Sequence, residues 1–303
     1  MDTTPLTQVK VSRKALAMHF EGFLRSLRNK RPETQGTYQR ALREFLRWFH
    51  QDGKCRFRVD DVERYKRYLT TRKRLSDVSV STYLTSVRRF CGFLVQEGVL
   101  PGNPAAYVNG NSRPSGHSRD ILSVADVDRL LSVIDRSDER GKRDFAIIKL
   151  MIGCALSEIE VIRADFRDLD TRQGHTVLAV QGKGRVSKDE RVALAADVKG
   201  AIDEYLGTRN PLLPGSPLFA SAGNRTRGAR MTTRGVRDRV NTYLELAGIK
   251  RGRRRKVTPY SLRHTAAMIM ADAGASAEEI RRRMRLGSEA TAMVYIQQKQ
   301  RTA

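Results

Sequence analysis

The sequence predicts a mainly α-helical protein in two domains, with a small β-hairpin or sheet confined to the second. Three observations carry that expectation. Apolar residues recur at helical spacing throughout the first hundred residues, a Gly/Ser/Asn/Pro-rich stretch breaks the pattern near residue 110, and one β-rich pair flanks a Gly-Lys-Gly turn further on. A chain of 303 residues also has the length of about two domains.

The first helix is read from Leu16, Phe20, Phe23, Leu24 and Leu27, and the second from Tyr38, Leu42, Phe45, Leu46 and Phe49. Val62, Tyr65, Tyr68 and Leu69 predict a third. Val80, Leu84, Val87, Cys91 and Leu94 predict a fourth, stopped at Gly98 as a helix C-terminus is. Asn109 to Arg119 lacks hydrophobic periodicity and reads as a linker, so the domains are placed at residues 1–108 and 120–303, with 109–119 between. A plain surface loop has the same composition.

The second domain opens with a capping-box pattern, Ser123 to Asp126, before the apolar positions Val127, Leu130, Leu131 and Ile134. Another helix is expected from Asp144 to about Ala155. His175–Val180 and Arg191–Leu194 read as strands, with Gly182-Lys183-Gly184 as the turn. Thr232-Thr233 starts a helix carrying Val236, Val240, Tyr243 and Leu244, which ends near Gly248. Thr258 and Pro259 form a cap and first-turn pair for the next, and Ser276 to Glu279 starts another.

Charge bounds the partner. Lys and Arg number 57 against 33 Asp and Glu, a net charge of +24 and a pI near 10.6. That excess predicts a polyanion, and nucleic acid fits best because neutralising phosphates releases counterions. A membrane surface is the rival. No apolar run approaches the ~18 residues that span a bilayer, and the start has no signal-peptide pattern, so a soluble intracellular protein is expected. Cys55, Cys91 and Cys154 are odd in number and irregularly spaced, and the five histidines show no ligand spacing, so neither disulfides nor a metal are expected. Arg40, Arg43, Arg88 and Arg89 crowd the polar faces of the first domain, and Arg185, Arg253, Arg254 and Lys256 extend the basic surface in the second; all are read as DNA-facing.

The chemistry gathers late in the chain. Tyr260, Arg263 and His264 lie at i, i+3 and i+4, on one face of a helix's first turn, where the dipole favours phosphate. A lysine between two glycines is ordinarily an exposed turn residue. The alternative is that the glycines let the backbone approach a groove while Lys183 reaches a phosphate or a leaving oxygen. Tyr295 follows a polar turn near the end.

Ser261-Leu-Arg-His-Thr265, the Gly-Lys-Gly hairpin, the Pro-Leu-Phe segment at Pro217 and the late tyrosine stand in one order, and with them nearly the whole chain resembles a tyrosine recombinase of the phage integrase family. The resemblance implies a helical, SAM-like core-binding domain and a mixed α+β catalytic domain that together clamp DNA. It implies site-specific recombination without a cofactor, by transesterification through a 3′-phosphotyrosyl intermediate. Tyr295 is the implied nucleophile, Arg263 a phosphate-binding arginine, Lys183 the general acid and His264 a supporting residue. The implied partners are a duplex recombination site and further copies of the chain, as a dimer or tetramer on DNA. The implied setting is the cytoplasm of a bacterium, the gene bacterial or phage-borne.

The departures from the family pattern are specific. Its first catalytic arginine falls on Ala155, and Arg163 matches a separate, non-catalytic position. The position three residues before Arg263, commonly His, is Tyr260, which can still donate a hydrogen bond to phosphate. Counted back from Tyr295, the usual His or Trp falls on Leu286; matched instead through Leu286-Gly287, Tyr295 comes two residues early. Losing one preorganised cation costs roughly a hundred- to thousandfold in rate. Ala155 is therefore either an engineered knockout of an active enzyme or a mark of natural degeneracy. The second function class is a non-cleaving DNA-binding accessory on the same scaffold. A type IB topoisomerase shares the chemistry but fits the size and the Ser-Leu-Arg-His string less well.

Overall fold

The computed structural model describes residues 11–52, 56–111, 120–172, 174–182, 185–223, 225–250 and 256–302. Lys183, Arg253, Arg254, Cys55 and most of the expected linker lie outside the described residues. The chain divides into two compact units, Met1–Ser115 and Gly116–Ala303.

The first unit is all helical: α1 (Arg13–Ser26), α2 (Pro32–Asp52), α3 (Val59–Thr71) and α4 (Asp77–Gln96). Each apolar stripe read from the sequence turns inward. Leu16, Leu42, Phe45, Tyr65, Leu84 and Phe90 pack into one core. Serines cap α1 and α4, Ser12 accepting from the Ala15 N–H and Ser76 from the Ser79 N–H. Gly98, at φ +70°, takes the left-handed turn that ends α4.

Tyr65 is fully buried, and its hydroxyl has no hydrogen-bond partner. A buried, unpaired polar group costs stability, so Tyr65→Phe is expected to raise the unfolding free energy by about 1 kcal/mol. A lower denaturant midpoint for the variant would refute this.

The second unit begins with α5 (Val124–Ser132), whose capping box joins Ser123 and Asp126 as read from the sequence. Next come α6 (Glu139–Gly153) and α7 (Glu158–Arg163). Helix α6 starts five residues before the expected Asp144, capped by Asp138, and ends before Ala155. Its start was masked because Arg143 and Asp144 are buried polar residues. They pair with each other at 2.7 Å, and Asp144 also accepts from Arg239.

Strands β1 (Leu169–Arg172), β2 (His175–Val180) and β3 (Glu190–Ala193) form an antiparallel sheet in that order. The sheet therefore has one strand more than the expected hairpin. Val180 pairs with Glu190, so the β2–β3 connection spans residues 181–189 and is longer than a Gly-Lys-Gly turn. Helix α8 (Ala196–Leu206) packs on α6. The unit is completed by α9 (Thr233–Leu246), α10 (Pro259–Asp272), α11 (Ala277–Arg283) and α12 (Glu289–Thr302). Among the described residues no helix is long and apolar enough to cross a membrane. Cys91 and Cys154 are buried among apolar groups, and burial pushes both thiols up to about 12.

Candidate DNA strand-transfer site

The site is built where α6 turns into α7. Cys154 ends α6, Ala155 takes φ +51°, and Ser157 caps α7. A left-handed alanine costs about 1–2 kcal/mol. Here it turns the Ala155 carbonyl onto two guanidinium groups: Arg263 Nη1 donates to it at 2.7 Å and Arg285 Nη2 at 2.8 Å.

Both arginines also hold Glu160, which is 2% exposed. Its carboxylate accepts from Arg263 Nη1 at 2.7 Å, from Arg285 Nε at 2.5 Å, and from the Ser157 N–H at 2.7 Å. Burial pushes its pKa up. The hydrogen bond from Arg285, the charges of Arg263 and Arg285, and the Ser157 N–H outweigh that and hold it below the usual carboxylate range. Two cations thus share one buried anion, for a net charge of +1. Arg263 also donates to the Met284 carbonyl, but its Nε–H is buried and has no partner.

Tyr260, Arg263 and His264 lie within the first two turns of α10. The Tyr260 and His264 rings meet edge to face, 4.9 Å apart. Arg263 and His264 are buried rather than presented on an open face. Tyr295 lies within helix α12, beyond the polar turn that follows α11, and is 1% exposed. Its hydroxyl is 2.7 Å from His264 Nδ1, so His264 touches the late tyrosine directly. Burial pushes the Tyr295 phenol up and the neighbouring Tyr260 adds to it, while the Arg263 charge pulls the other way. Ala155 joins Ala266, Ala267, Met284 and Tyr295 in one apolar cluster, against which Leu286 packs. A leucine there fills space and offers no proton.

A cleft of about 740 Å³ opens beside this cluster, lined by Tyr260, Arg263, Arg285 and Leu286 and edged by Arg237 and Lys250. Tyr295 is not on its wall. Sequence reasoning missed Glu160 and Arg285. The Ser157-x-x-Glu160 capping box was legible; in the sequence Arg285 hides behind Arg281, Arg282 and Arg283, and in the structure its positive φ of 54° and 5% exposed side chain set it apart.

The other basic residues divide. Arg40, Arg43 and Arg89 are exposed on the first unit. Arg88, expected to face DNA, turns inward and donates to the carbonyls of Ala105 and Val108 at 3.0 and 2.8 Å. Arg185 is exposed and pairs with Asp189 and Glu190, and Lys256 is exposed. Arg163 ends α7. Among the described residues no cluster of His, Cys, Asp or Glu is arranged to hold a metal ion.

A two-unit chain with a helical first unit, and a second unit that gathers tyrosine, arginine and histidine beside a basic cleft, is matched by known families. The phage integrase family matches residues 120–301, and its N-terminal SAM-like domain matches residues 18–98. The chain belongs to the phage integrase family of tyrosine recombinases. Among individual relatives, it is 30% identical over 283 residues to tyrosine recombinase XerC of Escherichia coli O127:H6, covering 91% of this chain and 90% of that protein. It is 28% identical over 286 residues to XerC of Yersinia pestis, covering 93% and 90%. The fold matches XerH recombinase bound to a palindromic difH substrate in a post-cleavage complex, with TM-score 0.72 and 17% identity over 94% of this chain and 81% of that one. It also matches a lambda integrase dimer on a COC′ core site, with TM-score 0.70 and 12% identity over 92% and 94%.

Proposed function

We propose that this chain cuts and rejoins duplex DNA at a specific site, with Tyr295 as nucleophile. The observation that carries the reading is the Tyr295 hydroxyl resting on His264, one residue from Arg263 on α10. In the step proposed, Tyr295 Oη gives its proton to His264 Nδ1 and bonds to phosphorus as the bond to the 5′ oxygen breaks. That oxygen takes a proton from Lys183, and attack by a partner strand's 5′ hydroxyl reverses the step. Arg263 balances the charge of the pentacoordinate phosphorus, helped by its unpaired Nε–H. Tyr260 donates to a phosphate oxygen, and His264 positions the phenol.

With Tyr295 buried against α10, the state described is a resting one, and DNA binding must bring the hydroxyl to the cleft. Assembly on DNA with further copies of the chain is part of the proposal.

A second reading, a DNA-binding accessory that does not cut, draws support from Ala155 and Leu286. A nicked suicide duplex, built on the sequence the protein selects from a random pool, separates the two. The expected result is a denaturant-resistant protein–DNA adduct. Selective binding with no adduct favours the accessory. In both cases binding is expected to fall steeply with salt, by about three orders of magnitude or more between 50 and 200 mM if six or more phosphates are contacted. Salt-insensitive binding would remove the basis for a DNA-facing surface.

A further inference from the structure

We infer that Arg285 supplies a second phosphate-binding charge beside Arg263, delivered from the α11–α12 turn. The inference rests on the recombinase reading above and deepens it.

The argument begins with place. Arg285 Nη2 sits 2.8 Å from the backbone oxygen of Ala155 itself, and its side chain is 5% exposed. It lies beside Arg263, through shared bonds to the Ala155 oxygen and to Glu160, and both arginines line the cleft that Tyr260 also lines. The backbone supports the placement, because the left-handed turn at Arg285 directs the side chain back across α7 while its neighbours Arg282 and Arg283 face solvent.

Charge gives the second step. A buried guanidinium is costly unless paired, and one carboxylate cannot neutralise two. Glu160 leaves an excess of one positive charge, Arg263 Nε–H is without a partner, and one Nη1 hydrogen of Arg285 is uncommitted. An anion with several acceptor oxygens would satisfy all three, and the phosphodiester of a bound strand is such an anion. Arg285 is also well held for the task, since Glu160 and two carbonyls fix its fork before DNA arrives. Preorganised donors act on a transition state without reorganisation cost.

The interlock has a corollary. Ala155 is 1% exposed, and an arginine there would enter an apolar cluster already flanked by two guanidinium groups and one carboxylate. Ala155→Arg alone is therefore expected to leave the adduct yield no higher than wild type.

The deciding experiment uses nicked duplexes of the selected sequence, carrying either the natural phosphate or a neutral methylphosphonate at the scissile position. Arg285→Gln, checked for folding by its thermal transition, is expected to form adduct roughly a hundredfold or more slowly on phosphate. On methylphosphonate, which carries no charge for an arginine to balance, the gap to wild type should shrink to a few-fold. The dependence of log binding constant on log salt should also lose about one phosphate contact. If Arg285→Gln does not fold, Arg285→Lys, which keeps the charge, is compared with wild type on the same pair.

Equal rates for wild type and variant on phosphate overturn the inference and leave the recombinase reading standing. So does a loss undiminished on methylphosphonate, which marks Arg285 as a prop for Glu160. An absence of adduct from the wild type on both duplexes overturns the recombinase reading, and this inference with it.

Discussion

Tyr295→Phe is expected to abolish covalent attachment to DNA while leaving duplex binding unchanged. The phenol oxygen is the only atom removed. Tyr295 carries no charge and is 1% exposed in the state described, so affinity for the duplex rests on the basic groups around it. The cost to stability is expected to be about 0.5–1.5 kcal/mol, the net worth of one hydrogen bond, since the hydroxyl is 2.7 Å from His264 Nδ1. Catalysis therefore falls to nothing while the fold barely registers the change. A residual adduct from Tyr295→Phe would place the nucleophile elsewhere.

His264 sharpens the same expectation. Burial keeps the Tyr295 phenol protonated well above its ordinary range, so in the proposed mechanism its proton leaves at neutral pH as the phosphorus bond forms. Nδ1 is the group already in contact. If it accepts the proton, His264→Ala slows cleavage most at neutral pH and less at alkaline pH, whereas a purely steric role lowers the rate equally throughout.

The parts legible in the sequence are those where one physical signal dominates. Helices α1 to α4 were readable because each buries a stripe at a period of 3.6 residues, and α1 and α4 also begin at capping serines. Strand β1 was not, since only Leu169 of its four residues faces away from solvent. Helix α8 carries no side-chain cap and a glycine at position 200, and its buried Val198, Ala201, Ile202 and Tyr205 make a short stripe.

The same contrast holds in the site. Tyr260, Arg263 and His264 could be grouped because one helical turn fixes their relation, and the late tyrosine because of its resemblance to a family pattern. Arg285 could not. Local periodicity says nothing about a side chain that reaches across 125 residues to Glu160, and Arg281, Arg282 and Arg283 make it look like part of a solvated face. Reading Ala155 as an empty place was a statement about one position in the chain. In three dimensions Arg285 reaches the backbone oxygen of Ala155, whose side chain packs in the apolar cluster.

Glu160→Ala is the substitution expected to cost the most stability. It leaves Arg263 and Arg285, both buried, without their shared carboxylate, and it removes the acceptor for the Ser157 N–H and hydroxyl. Breaking a buried ion pair in this way costs about 3–5 kcal/mol, because the stranded charges remain. For a unit of this size that corresponds to a fall in thermal midpoint of about 6–20 °C. Adding Arg285→Met should return part of the loss, since one unpaired cation is then replaced by apolar bulk, and the two changes should not be additive.

The pH dependence has a definite sign. Glu160 has a folded pKa held below its ordinary value of 4.5, so its contribution is fully present above that value and is lost as pH falls through the depressed folded pKa. Wild type and Glu160→Ala should differ most near neutrality and converge in acid. A difference below about 1 kcal/mol at pH 7, or one that grows in acid, would mean that the two arginines do not depend on this carboxylate.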